Sequence, residues 1–153
     1  MKTRKTWLIA SALGILTLLF ASCGRNWNGS YLFSQSFAGS SLCGSQTLSV
    51  NFYFTSQGSS VSGQGTAQST TTQCFISEQF TGTDIGNAIS PATLTINMPG
   101  SQPCTYTGTL PLSGNQVMGT LNVQQQAAPQ GGGQPQYNGA CPFAVQMSGT
   151  LTR

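Results

Sequence analysis

The chain closes on Met147-Ser148-Gly149-Thr150-Leu151-Thr152, and the pattern in this stretch governs how the rest is read. A large apolar residue, one spacer, a glycine and a small polar residue recur at Trp27-Asn28-Gly29-Ser30, Val61-Ser62-Gly63-Gln64, Phe80-Thr81-Gly82-Thr83, Tyr106-Thr107-Gly108-Thr109 and Val117-Met118-Gly119-Thr120. Side chains of an extended chain alternate between two faces, so the apolar residue and the glycine share one face and the polar residues take the other. Each copy reads as a piece of a half-buried strand.

Alternation and β-branched or aromatic content extend the repeats into eight strands, at about 27–34, 47–55, 61–68, 75–83, 92–98, 106–110, 116–124 and 143–152. Trp27, Tyr31 and Phe33 share a face of the first, and Leu48, Val50, Phe52 and Phe54 share a face of the second. Asp84-Ile85-Gly86-Asn87 reads as a turn, and Pro91 and Pro99-Gly100 punctuate the fifth strand. The stretch 125–140, with Pro129, Gly131-Gly132-Gly133 and Pro135, is low-complexity loop. After the N-terminal segment no helical period is present, so 27–153 is a single all-β domain. Eight strands with one apolar face each bury it in an antiparallel up-and-down barrel or in a β-sandwich. Six glycines on the inward parity favour the barrel, because missing side chains let strands coil sharply enough to close.

The N-terminus carries a different signal. Lys2, Arg4 and Lys5 precede an apolar run from Trp7 to Phe20 and then Ala21-Ser22-Cys23, the layout of a signal peptide over 1–22. The run of 14 residues is short of the roughly 20 that a spanning helix needs. Leu19-Phe20-Ala21-Ser22-Cys23 resembles the lipobox of bacterial lipoproteins, with Phe20 where that family most often has Leu. The resemblance implies a diacylglycerol on the Cys23 thiol, palmitate-class acyl chains, cleavage before Cys23 and a lipid-anchored tether over 23–26. Gly24 in place of Asp implies the outer membrane of the bacterial cell envelope. Two or more acyl chains give stable anchoring to the membrane.

Loss of 1–22 removes Lys2, Arg4 and Lys5 and leaves Arg25, Arg153, Glu78 and Asp84, a net charge of zero. No positive surface for nucleic acid remains. With neither His nor Lys in the mature chain, Ser-His and Ser-Lys catalysis is excluded. Glu78 and Asp84 lie along one strand and its turn, poorly placed for a carboxylate pair. The expectation is a protein that is not an enzyme and has no cofactor. No metal site is expected either, since there is no His and no closely spaced Cys pair.

Cys43, Cys74, Cys104 and Cys141 make two disulfides in an exported chain. In a meander each of them precedes an even-numbered strand, so all lie at one end of the barrel. Adjacent pairing, Cys43 with Cys74 and Cys104 with Cys141, is the first choice, and Cys74–Cys104 with Cys43–Cys141 the second. The crossed pattern would have to span the barrel. The long loops 35–46 and 125–140 lie at this stapled end, and the tether and both termini at the other.

The meander of aromatic and Gly-Thr strands, with Trp27-Asn28-Gly29-Ser30 at its start, resembles the avidin and lipocalin-like (calycin) barrels. The lipocalin Gly-x-Trp is absent, and without a second mature Trp there is no aromatic set of the kind that surrounds biotin. Read as a binding module, the protein holds a small, neutral ligand in a cavity at the barrel mouth or among the distal loops. Tyr31, Phe52, Phe54 and Tyr106 are the candidates to line it, and Glu78, on the parity of Ile76 and Phe80, is the candidate to orient it. The alternative for Glu78 is an outward position at a bulge or strand start, because unpaired buried charge is costly. Thr93, Thr95, Thr105, Thr107, Thr109 and Thr150 give the outer face a polar, uncharged surface suited to carbohydrate or self-association. Two functions stay open: a binding module for a small neutral ligand or glycan, and a structural or interaction lipoprotein with a filled core and an envelope-protein partner. Inhibition of a cell-wall hydrolase, a role of some small lipoprotein barrels, is a third, and the scarcity of charge counts against it.

Overall fold

Thr47–Gln57 alternates buried and exposed residues along nearly its whole length, and that regularity is the local form of the fold. In the computed structural model, which describes residues 25–39, 42–68, 75–98, 102–124 and 141–151, eight strands follow one another. They are β1 (Gly29–Ala38), β2 (Thr47–Gln57), β3 (Ser60–Gln68), β4 (Phe75–Asp84), β5 (Ala88–Asn97), β6 (Cys104–Ser113), β7 (Gln116–Val123) and β8 (Ala144–Thr150). Every neighbouring pair is antiparallel, and β1 also pairs with β8, from Phe33 opposite Gly149 to Ala38 opposite Ala144. The sheet is therefore a closed up-and-down barrel, and the sandwich alternative falls. Closure leaves no edge strand to template association.

The barrel interior is one continuous core. Trp27, Tyr31, Phe33, Phe52, Phe54 and Phe80 fill the half nearer the chain termini, with ring centroids 5.3 Å apart for Phe52–Phe54 and 5.4 Å for Phe54–Phe80. Opposite these rings the wall is thin. Gly63 pairs with Phe54, Gly65 with Phe52 and Gly149 with Phe33, and each ring lies across its glycine. A Cβ on Gly63 would stand 2.6 Å from Phe54 Cδ1. Leu121 packs against its register partner Gly108, and Ile89 reaches Gly82 from beside the register shift between Gly82 and Asp84. The repeated glycine is thus the seat for a neighbouring strand's large side chain, and Gly29, whose nearest side chain is Tyr31 of its own strand, is the exception.

Several strand limits differ from the sequence reading. β1 runs to Ala38, four residues past the expected end, because Gln35 and Phe37 continue the buried parity of Phe33. β5 starts at Ala88, and Pro91 lies inside it instead of before it. The register shifts between Ile89 and Ala92, and a proline without an N–H is accommodated at such an irregularity. β6 extends from Cys104 to Ser113, through Pro111, where pairing to β7 is interrupted between Gly108 and Leu112.

The two ends of the barrel differ as expected. Cys104 and Cys141 are disulfide-bonded, which joins the start of β6 to the approach to β8. That bond excludes both the second-choice pairing and the crossed one. Cys43 is disulfide-bonded too, and Cys74 lies outside the described residues. At the opposite end Arg25 Nη1 donates to the Gly114 carbonyl and Leu151 N–H to the Asn115 carbonyl, so both ends of the described chain meet there. The expected signal peptide 1–22, the expected lipidation site Cys23 and the expected loop 125–140 lie outside the described residues.

Candidate functional site

Three places in the barrel have polar chemistry. The first is internal. β4 aims Glu78 inward between Ile76 and Phe80, and the carboxyl is 1 % exposed. The outward alternative is thereby overturned: the strand alternates without a bulge until Gly82, so parity fixes the direction. Gln35, on β1, crosses the interior and donates from Nε2 to Glu78 Oε2 at 2.7 Å. Tyr106, on β6, is fully buried. Burial pushes the Glu78 carboxyl up to about 7, against the lowering effect of the Gln35 hydrogen bond. Burial also raises the Tyr106 hydroxyl, and the Glu78 charge raises it further. Gln35 Oε1, Glu78 Oε1 and the Tyr106 hydroxyl oxygen have no hydrogen-bond partner among the described residues.

The expected ligand-lining residues therefore divide. Tyr31, Phe52 and Phe54 belong to the aromatic packing of the terminal half, where Phe54 alone meets Trp27, Tyr31, Phe33, Phe52 and Phe80. Glu78 and Tyr106 belong to the polar layer nearer the stapled end. Gln35 was missed by the sequence reading, although its parity with Phe33 was visible once β1 is carried past Ser34.

The second place is the end of the barrel where the two ends of the described chain meet. Asp84 is buried, and it does more than form the turn. Its Oδ2 accepts from the Trp27 indole at 2.8 Å and from Arg25 N–H at 3.3 Å, and its Oδ1 accepts from Gly86 N–H at 2.7 Å. Burial pushes this carboxyl up, but those hydrogen bonds and the Arg25 charge outweigh it and hold it below its usual range. The Trp27 ring, 1 % exposed, closes the barrel at this end.

The third place is the outer wall. A cleft of about 450 Å³ crosses β2, β3 and β4, lined on its outward side by Tyr53, Thr55, Ser62, Gln64, Gln79 and Thr81. Register sets two transverse rows there. Tyr53, Gln64, Gln79, Thr95 and Thr105 stand opposite one another, and so do Thr55, Ser62, Thr81, Thr93 and Thr107. Tyr53 is 59 % exposed, and Thr55 and Ser62 share a hydrogen bond of 2.9 Å between hydroxyls. A second cleft, of about 550 Å³, lies over β1, β7 and β8 between Leu32 and Met118.

Among the described residues no group of three or more His, Cys, Asp or Glu side chains could hold a metal, and no helix is long and apolar enough to cross a membrane. Comparison with known proteins finds no matching family model, no similar curated protein and no similar solved structure.

Proposed function

We propose that the protein is a non-catalytic binding module, lipid-anchored through Cys23 in the bacterial cell envelope, that takes a neutral glycan in the Tyr53 cleft. The observation that carries this reading is an exposed aromatic ring set among uncharged hydroxyls and amides in an open cleft of about 450 Å³ on the outer wall. A sugar ring offers an apolar C–H face to an aromatic ring and hydroxyls at its rim. Thr55, Ser62 and Thr81 can donate or accept, and Gln64 and Gln79 carry both an acceptor and donors. With no charged side chain in the lining, the cleft suits a neutral ligand and disfavours a charged one.

The packed aromatic half of the interior supports a ligand on the wall over one in the barrel mouth. It also supports a second reading, a structural lipoprotein whose barrel is only a rigid body for an envelope-protein partner. Titration of the full chain in detergent with a panel of neutral oligosaccharides, followed by nuclear magnetic resonance, separates the two. Saturable shifts confined to residues of the cleft, abolished by Tyr53→Ala, are expected. Absence of binding across the panel would leave the structural reading. Tyr53 is on the surface, so its replacement should change stability by less than about 0.5 kcal/mol.

A further inference from the structure

The internal polar layer has a hydrogen-bonding deficit of a particular kind. Gln35 is 0 % exposed, Glu78 1 % and Tyr106 0 %, so bulk solvent does not reach them. Their cross-strand neighbours are Leu48 and Met147 for Gln35, Gly65 and Ile96 for Glu78, and Leu94 and Val123 for Tyr106. None of these offers a polar side chain. The Gln35 amide nitrogen gives one of its two N–H groups to Glu78 Oε2. The atoms without any partner are an amide oxygen that accepts, a carboxylate oxygen that accepts and a phenol that donates. Leaving each buried group unpaired costs about 1–3 kcal/mol.

We infer that the stapled half of the barrel holds one bound water molecule, which donates to Gln35 Oε1 and Glu78 Oε1 and accepts from the Tyr106 hydroxyl. Two donor hydrogens and a lone pair match the three orphaned atoms, and about three hydrogen bonds is the usual complement of a buried water. The same molecule serves the protonated carboxyl. When Glu78 Oε1 carries a proton the water accepts from it and donates to Gln35 Oε1 and to the Tyr106 oxygen. A hard cation is a poorer occupant, since three side-chain oxygens fall short of the six or so that such ions collect. Among the described residues the other charged side chains, Arg25 and Asp84, are at the opposite end of the barrel, so burial and the polar neighbours Gln35 and Tyr106 make up the environment of Glu78.

Oxygen-17 magnetic relaxation dispersion counts waters held longer than the protein tumbles, and the full chain in detergent is the sample. The wild type should lose the signal of one long-lived water when Gln35→Leu and Glu78→Leu are combined. Equal signals from two folded samples would overturn the assignment. Should the double variant fail to fold, a high-resolution crystal structure of the wild type decides. A density peak within hydrogen-bond distance of all three oxygens supports the water. A direct Tyr106–Glu78 hydrogen bond with no peak overturns it, and so does a peak whose occupancy and melting temperature rise with sodium or potassium.

Discussion

A carboxyl enclosed between Ile76 and Phe80 holds its proton to an unusually high pH. Glu78 titrates at about 7 in the folded chain against an ordinary 4.5, so folding favours the protonated form. The associated stability is fully present below about 4.5 and is lost as pH rises through about 7, a total of roughly 3 kcal/mol. Urea midpoints should therefore fall between pH 5 and pH 9. Glu78→Gln, which cannot ionise, should flatten that dependence and be the more stable protein at pH 9. A wild-type midpoint that rises over the same interval would contradict a buried, ionising Glu78. Asp84 has the opposite sign: its lowered value gives stability that is present above the ordinary carboxylate range and lost as pH falls through the folded value. Asp84→Ala leaves the buried Trp27 indole N–H without its acceptor and should cost about 1–3 kcal/mol. Part of that cost should disappear in a Trp27→Phe background, and chemical denaturation of the double-mutant cycle measures it. Half of Asp84 was legible in the sequence. The turn bond to Gly86 is local, whereas Trp27 is 57 residues away and no periodicity links the two. Glu78 shows the limit of parity. Alternation gave its direction, but the cost of buried charge argued against it, and the Gln35 side chain that offsets part of that cost comes from another strand.

At the scale of the strand, the apolar-x-Gly repeat is a packing device. The glycine stands across from a ring or a branched side chain of the neighbouring strand, so one residue of each pair supplies volume and the other yields it. Phe54 cannot retreat from an added methyl on Gly63, because it is packed among Phe52, Phe33, Phe80, Tyr31 and Trp27. Gly63→Ala should destabilise the protein by about 1–3 kcal/mol, as overpacking of a full core does. Combination with Phe54→Leu, which vacates the seat, should return part of that loss, and additive effects would show that the ring and the glycine are not coupled. The repeat itself was legible because its period is local. The partner of each glycine was not, since it depends on register between strands. The strand limits at Pro91 and Pro111 were misread for the same reason. Whether a proline ends a strand or sits at an interruption of the ladder is decided by the facing strand, not by the proline.

For the whole molecule, the inward glycines and the regular meander pointed to closure, and the β1–β8 ladder completes it. The outer clefts were beyond sequence reading, because they arise where side chains from three or four strands come into transverse rows. Closure also makes the molecule dependent on its last strand. Val145 and Met147 are fully buried, and Leu151 just beyond β8 is nearly so. Burial of each such side chain is worth about 1.5–3 kcal/mol. Their sum is comparable to the 5–15 kcal/mol that holds a typical domain together. Loss of β8 also leaves β1 and β7 as long edges with unpaired N–H and C=O groups, which recruit other chains. Terminating the chain after Phe143 should therefore yield aggregated protein without the near-ultraviolet circular dichroism of the packed aromatic core. The rings of that core, Trp27, Tyr31, Phe33, Phe52, Phe54 and Phe80, all remain in the truncated chain. A soluble, monomeric fragment that kept the native aromatic signal would mean that β1 to β7 form a self-sufficient open sheet. In that case the last strand would fasten the barrel without being needed to form its core.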